Sequence, residues 1–89
     1  NSLNNQVLRS GTSVFANIKE AQFAQSPSDF VHKLSISLKE ANETMGWIEL
    51  FRESGYIDQR SFESISADCQ EIIAMLVASI NTTKKNFNL

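Results

Sequence analysis

The chain has little of what marks an enzyme, a membrane protein or a disulfide-stabilised domain. Its 89 residues include one proline, three glycines, one histidine and one cysteine. A single cysteine excludes an intrachain disulfide framework and is typical of a reducing compartment, which predicts a cytoplasmic protein. With His32 as the only histidine, neither a histidine-based metal cluster nor a catalytic triad can be assembled within one chain.

Long apolar runs and an excess of positive charge are also missing. No run approaches the roughly 18–20 residues of a transmembrane helix, and no signal-peptide core is visible, so we expect no membrane association. Eight basic and ten acidic residues give a net charge of −2, which is unlike an autonomous nucleic-acid-binding domain. Hydrophobic residues at 42% and charged residues at 20% nevertheless indicate a globular protein.

The few prolines and glycines divide the chain into three helical segments. Ser26 followed by Pro27 has the pattern of a helix start, with Ser26 as N-cap and Pro27 in the first turn. Gly55 suits the left-handed position that ends a helix, and Asp58 is placed to cap the next helix. Within one domain spanning 1–89, these signals predict three helices at about residues 2–24, 27–54 and 59–86.

Apolar residues recur at intervals of three and four in each segment, which is the helical period. In the first segment they are Leu3, Val7, Gly11, Val14, Ile18 and Ala21, flanked by Leu8 and Phe15. In the second they are Phe30, Leu34, Leu38, Ala41, Met45, Ile48 and Phe51. In the third they are Phe62, Ile65, Cys69, Ile72, Leu76 and Ile80, widened by Ile73 and Val77. The pattern predicts an all-α protein, an antiparallel up-and-down helical bundle.

The stretch from Ser10 to Ser13 is the weakest part of the first segment. It combines serine, glycine and threonine, and a glycine costs a helix about 1 kcal/mol relative to alanine. Two interpretations stay open at this point. The stretch predicts either a kink or late start in the helix, or a close contact with a neighbouring helix.

The second segment has a second apolar face. Ile36, Trp47 and Leu50 cluster roughly opposite its main stripe. A helix with apolar residues on two faces is usually buried on both, so we predict that these three residues form a protein interface. A missing helix or another subunit would cover it. The alternative is a scatter of surface hydrophobic residues, which is common in folded proteins.

The remaining reactive side chains are better explained as structural. Cys69 lies in an apolar stripe, where a buried thiol behaves as a small hydrophobe. The glutamates of the second segment invite comparison with di-iron bundles, but those sites need Glu-x-x-His pairs on facing helices. Four glutamates are concerned: Glu40, Glu43, Glu49 and Glu53. We expect an exposed or interfacial His32, and no catalytic residue, cofactor site, metal site or small-molecule substrate.

Two segments resemble a known family. Residues 8–21 (LRSGTSVFANIKEA) and residues 29–44 (DFVHKLSISLKEANET) carry its two helical motifs, and a Gly-Tyr-Ile turn follows at residues 55–57. The motifs resemble those of the four-helix-bundle proteins encoded in intervening sequences of bacterial large-subunit ribosomal RNA genes. The accessory variability proteins of diversity-generating retroelements are relatives of that family.

This resemblance implies an antiparallel four-helix protomer that assembles into a ring-shaped homopentamer. The present chain would supply three of the four helices, with the natural N-terminal helix missing. The resemblance also implies contact with RNA or a reverse transcriptase, through basic surfaces in the retroelement branch. This acidic chain departs from that pattern. It also carries Phe15 where many members have proline or glycine, so a kink there is not expected.

Three functional hypotheses follow from the sequence. The first is a non-enzymatic oligomeric scaffold or adaptor in an RNA-associated process. The second is direct RNA binding through a basic rim that a ring of subunits would form from few lysines per chain. The third is an enzyme with a site between subunits, which would need His32 to face glutamates of a neighbouring chain.

Overall fold

The chain folds into three helices packed against one another. The computed structural model describes residues 2–89, apart from the side chain of Leu3, which therefore lies outside the described part of the first apolar stripe. The helices are α1 (Ser2–Ala21), α2 (Pro27–Glu53) and α3 (Gln59–Phe87), with no strand in the described part of the chain. The all-α prediction is confirmed for these residues. The molecule measures 45 × 21 × 15 Å along its principal axes.

The first helix ends at Ala21, earlier than the predicted residue 24. After the last turn the backbone hydrogen bonds join residues three apart. Phe23 N–H donates to the Glu20 carbonyl, and Ala24 N–H donates to the Ala21 carbonyl. Such tightening is common where a helix leaves its last carbonyls without partners. The chain must then become extended at Ser26, which has φ −158° and ψ 162°.

The second helix begins with the cap that its sequence predicts. The Ser26 side chain accepts a hydrogen bond from the Asp29 backbone N–H at 3.0 Å. Pro27 occupies the first turn of α2. A backbone N–H at that position has no partner within the helix, so proline loses no hydrogen bond there. The Asp29 carboxylate in turn accepts from the Gln25 N–H at 3.3 Å.

The turn between α2 and α3 depends on Gly55. Its φ of +77° is the left-handed conformation that glycine adopts without a Cβ clash. Gly55 N–H donates to the Arg52 carbonyl at 3.1 Å, and Tyr56 N–H donates to the Phe51 carbonyl at 2.9 Å. The rings of Phe51 and Tyr56 lie 5.7 Å apart, which completes a Schellman motif with its hydrophobic contact. The predicted role of Gly55 is confirmed.

The third helix is capped by Asp58. Its carboxylate accepts a hydrogen bond from the Ser61 backbone N–H at 2.7 Å. This bond favours the charged form, so it lowers the pKa of the Asp58 carboxyl below its ordinary value. The cap fixes where α3 starts and therefore which of its residues face α2.

The hydrophobic core is built around α2. Both α1 and α3 pack on it, whereas no Cα of α1 comes within 8 Å of a Cα of α3 among the described residues. All of the buried apolar residues lie on the predicted stripes. They are Val14, Ala21, Leu34, Ala41, Ile48, Cys69, Leu76 and Ile80. The separation of α1 from α3 leaves one side of this core open.

Some residues assigned to the stripes do not enter the core. Ile65 is 44% exposed, although the sequence places it on the main stripe of α3. Val77, and the flanking residues Leu8 and Phe15, are exposed as well. The apolar stripes are wide enough to contact two neighbouring helices, but in the described part of the chain the backbones of α1 and α3 each come close only to that of α2.

Buried hydroxyl groups line the contact between α1 and α2. Ser10 and Ser37 are fully buried. Ser37 donates to the Val14 carbonyl at 2.7 Å, and Thr44 donates to the Ser10 hydroxyl at 2.9 Å. Because α1 continues as a helix through residues 10–13, the structure supports the close-contact interpretation of this stretch over a late start.

Candidate protein interfaces

An open apolar groove runs between α1 and α3, above α2. We define the groove by Phe15 on its α1 side and by Ile65, Ile72 and Met75 on its α3 side. Its floor is made of core residues of α2, among them Ala41. Phe15 and Met75 are each 63% exposed, so apolar side chains of large size face outward here.

The rim residues of the groove follow helical spacing. On α3 the interval from Ile65 to Ile72 is seven residues and that from Ile72 to Met75 is three. Side chains at such intervals form the ridges that another helix packs between. Contiguous exposed apolar surface of this kind marks an interaction site in soluble proteins. The groove therefore has the shape and chemistry to accept one further helix.

Cys69 lies in the floor of the groove as a buried thiol. Its S–H donates to the Ala41 carbonyl at 3.6 Å. Burial raises the pKa of the Cys69 thiol above its ordinary value, which keeps the reactive thiolate scarce. The position fits the predicted role as a core residue.

A second open surface lies on the opposite side of α2. It is a shallow depression, called here the outer depression, lined by Arg9, Glu43, Gly46, Trp47 and Leu50. Trp47 is half-buried and Leu50 is 37% exposed. The structure thus brings together two of the three residues predicted to form an interface.

The third predicted residue, Ile36, is half-buried on the same face of α2 but does not line the depression. Arg9 and Gly46, which also line the depression, were not predicted from the sequence. Arg9 belongs to α1, so the helical wheel of α2 alone could not reveal it. Gly46 carries no side chain, so an apolar pattern could not include it; its only signal in the sequence is a glycine inside a predicted helix.

Two ion pairs connect α1 and α2. The Arg9 guanidinium lies 4.0 Å from the Glu40 carboxylate and donates to the Gln6 side chain at 3.0 Å. Glu20 pairs with Lys33 at 3.0 Å, and this bond raises the pKa of Lys33. The Glu20–Lys33 pair, in which the Glu20 side chain is 63% exposed, contributes only about 0–1 kcal/mol. The Glu40 side chain is 17% exposed, and its Oε2 is buried without a hydrogen bond.

Residues 2–89 contain no cluster of three or more His, Cys, Asp or Glu side chains placed to hold a metal ion. His32 is exposed on α2, as expected. Over the same residues, none of the helices is long and apolar enough to cross a bilayer.

Positive charge is unevenly distributed along the bundle. Four of the five lysines lie toward the end that holds the α1–α2 turn and the last turns of α3: Lys19, Lys33, Lys84 and Lys85. Arg52 and Arg60 lie toward the other end, whereas Arg9 and Lys39 lie near the middle of their helices. Both ends can be identified because Cys69 contacts Ala41, while Phe30, near the start of α2, shares a surface pocket with Ala78 and Thr82. A chain with a net negative charge therefore has one lysine-rich end.

Residues 1–78 match the sequence profile of the 23S rRNA-intervening sequence protein family. A similar solved structure is that of a protein of unknown function from the S23 ribosomal protein family of Bacteroides thetaiotaomicron VPI-5482. It is 51% identical with a TM-score of 0.86, and the match covers 88% of this chain and 72% of that chain. No curated protein matches the sequence significantly.

Proposed function

Because this chain belongs to the family of 23S rRNA-intervening sequence proteins, as its motifs predicted, we propose that it is a non-enzymatic, cytoplasmic helical scaffold or adaptor in an RNA-associated process. The observation that carries the proposal is the pair of open apolar surfaces on opposite sides of α2. Exposed apolar surfaces of this kind mark sites at which a protein contacts other chains.

The first step of the proposal is a fourth helix that fills the groove and completes an antiparallel up-and-down bundle. The antiparallel order is supported by pairs that join the end of α1 to the start of α2, such as Glu20 with Lys33. Ser10, earlier in α1, contacts Thr44, later in α2. The similar solved structure has more than a quarter of its chain outside the match, which is room for a further helix.

The second step is self-association through the outer depression. A helix in the groove cannot also cover Trp47 and Leu50, because these face the opposite side of α2. Burying them against another subunit removes apolar surface from water, and this stabilises the assembly by a free energy of about 25 cal/mol per Å². The ring of five subunits that the family resemblance implies is one way to bury this face in every copy, with Ile36 extending the contact.

The oligomeric state tests this proposal directly. Light scattering and sedimentation velocity at micromolar concentration should show an assembly for the unaltered protein. A double variant, Trp47→Ser with Leu50→Ser, should dissociate to monomers while keeping its helical circular dichroism, since neither residue belongs to the core cluster. Val77→Ser, which removes another exposed apolar side chain, is the control and should stay assembled. A monomeric unaltered protein would contradict the proposal.

A second candidate function is RNA binding through the lysine-rich end. In a ring of parallel subunits, that end repeats around one rim and concentrates charge that a single chain lacks. The proposed relation to the accessory variability proteins of retroelements points the same way. The phosphate backbone is the chemistry that lysines recognise without sequence preference, with an affinity that falls steeply as salt rises.

Fluorescence anisotropy with a labelled single-stranded RNA tests the second candidate. Binding at low salt should weaken steeply between about 50 and 200 mM salt. Replacing Lys84 and Lys85 with glutamate should abolish it. Replacing Arg52 and Arg60 with glutamate makes the same charge change at the other end and should leave binding largely intact. Absence of binding even at low salt would exclude this candidate.

A further inference from the structure

Two of the three glycines occupy helical positions that the chain itself does not explain. Gly55 has a positive φ at a helix end, but Gly11 lies within α1 and Gly46 within α2. A methyl group added at either position would meet no atom within 4 Å. Glycine in a helix interior is less stable than alanine, so neither residue serves the fold of the described chain.

Both helical glycines lie at an open apolar surface. Gly11 lines the groove between α1 and α3, and Gly46 lies in the outer depression beside Trp47 and Leu50. Glycine is the residue that allows another backbone to approach closely, because it has no Cβ. Each glycine therefore marks a place on its surface where a neighbouring chain can come nearest.

We propose that Gly46 is the point of closest approach at which a helix of a second copy of this chain packs against α2. The inference rests on the self-association proposed above and identifies where its closest contact lies. In this arrangement a helix of the second copy fills the space over Gly46. The flanking Trp47 and Leu50 form the apolar contact around that point.

The charges at the rim favour a second copy over a partner of one dominant charge. Arg9 and Glu43 line the same depression with opposite signs. A strongly acidic partner would be repelled by Glu43, and a strongly basic one by Arg9. A copy of this chain presents both signs on the same face and can offer a countercharge to each.

The test compares Gly46→Ala with the unaltered protein. Alanine raises helix stability, so the dissociated variant should unfold at a temperature about 4–8 °C higher. If a helix packs over position 46, the added methyl group must separate the two chains, and association should weaken about tenfold or more. Sedimentation velocity over a concentration series measures the association, and thermal unfolding at low concentration measures the stability. Gly46→Leu should abolish assembly.

Ser64→Ala is the matched control. Ser64 is exposed on α3, outside the outer depression, so alanine there also raises helix propensity but adds no Cβ. Its association should equal that of the unaltered protein. If Gly46→Ala assembles as tightly as the unaltered protein, this inference is overturned while the scaffold proposal stands. If the unaltered protein is monomeric, both fail.

Discussion

Replacing Leu34 with alanine is expected to lower the free energy of unfolding by about 2–5 kcal/mol. Leu34 is 4% exposed and belongs to a core cluster that includes Ala21 of α1 and Leu76 of α3. The substitution removes buried methyl groups and leaves a cavity at the level where all three helices meet. Since small domains have a total stability of roughly 5–15 kcal/mol, the loss is a large share of it. Urea denaturation followed by circular dichroism measures the change.

Leu50→Ala is the matched control, because it makes the same chemical change on the same helix. Leu50 is 37% exposed and outside the core cluster, so its truncation should cost the dissociated chain less than about 1 kcal/mol. It should instead weaken self-association. A comparable loss of stability for Leu34→Ala and Leu50→Ala would show that α2 does not have one core face and one interface face.

The sequence predicted the elements of the fold because their signals are local. Ser26 determines the start of α2 because its side chain accepts a hydrogen bond from the Asp29 N–H, three residues along the chain, and Gly55 determines the end of that helix through its own φ. The period of apolar residues likewise depends on one helix at a time. Each of these features can be recognised without knowledge of what the helix contacts.

Exposure of the stripe residues could not be predicted in the same way. The position of Ile65 on an apolar stripe shows which face of α3 is apolar, but not whether one or two helices contact that face. The buried hydroxyls of Ser10 and Ser37 were also invisible to an apolar pattern, because their burial depends on partners across the α1–α2 contact.

The outer depression was predicted only in part for a related reason. Trp47 and Leu50 share one face of α2, so a helical wheel finds them. Arg9 joins them only because of the position along α2 at which α1 packs. The hydrogen bond that Thr44 donates to Ser10 fixes that position. A surface formed by two helices requires their relative position, which no single-helix pattern contains.

The second large effect is expected at Phe15, and its size should depend on whether the groove is filled. In the chain of 89 residues, Phe15 is 63% exposed, so Phe15→Asp should change the free energy of unfolding by less than about 1 kcal/mol. In the four-helix protomer proposed above, the same position lies beneath the fourth helix. There the variant loses a buried aromatic side chain and buries an unpaired carboxylate, which should cost at least about 3–5 kcal/mol.

Urea denaturation of the two lengths of protein, with and without the N-terminal helix that the resemblance implies, separates these cases. Val77→Asp introduces the same charge at an exposed apolar position on α3. It should change the free energy of unfolding little in both lengths of the protein. If Phe15→Asp is equally mild in both, the additional helix does not occupy the groove. A large cost confined to the longer protein would assign the groove to that helix and leave the outer depression as the surface through which subunits meet.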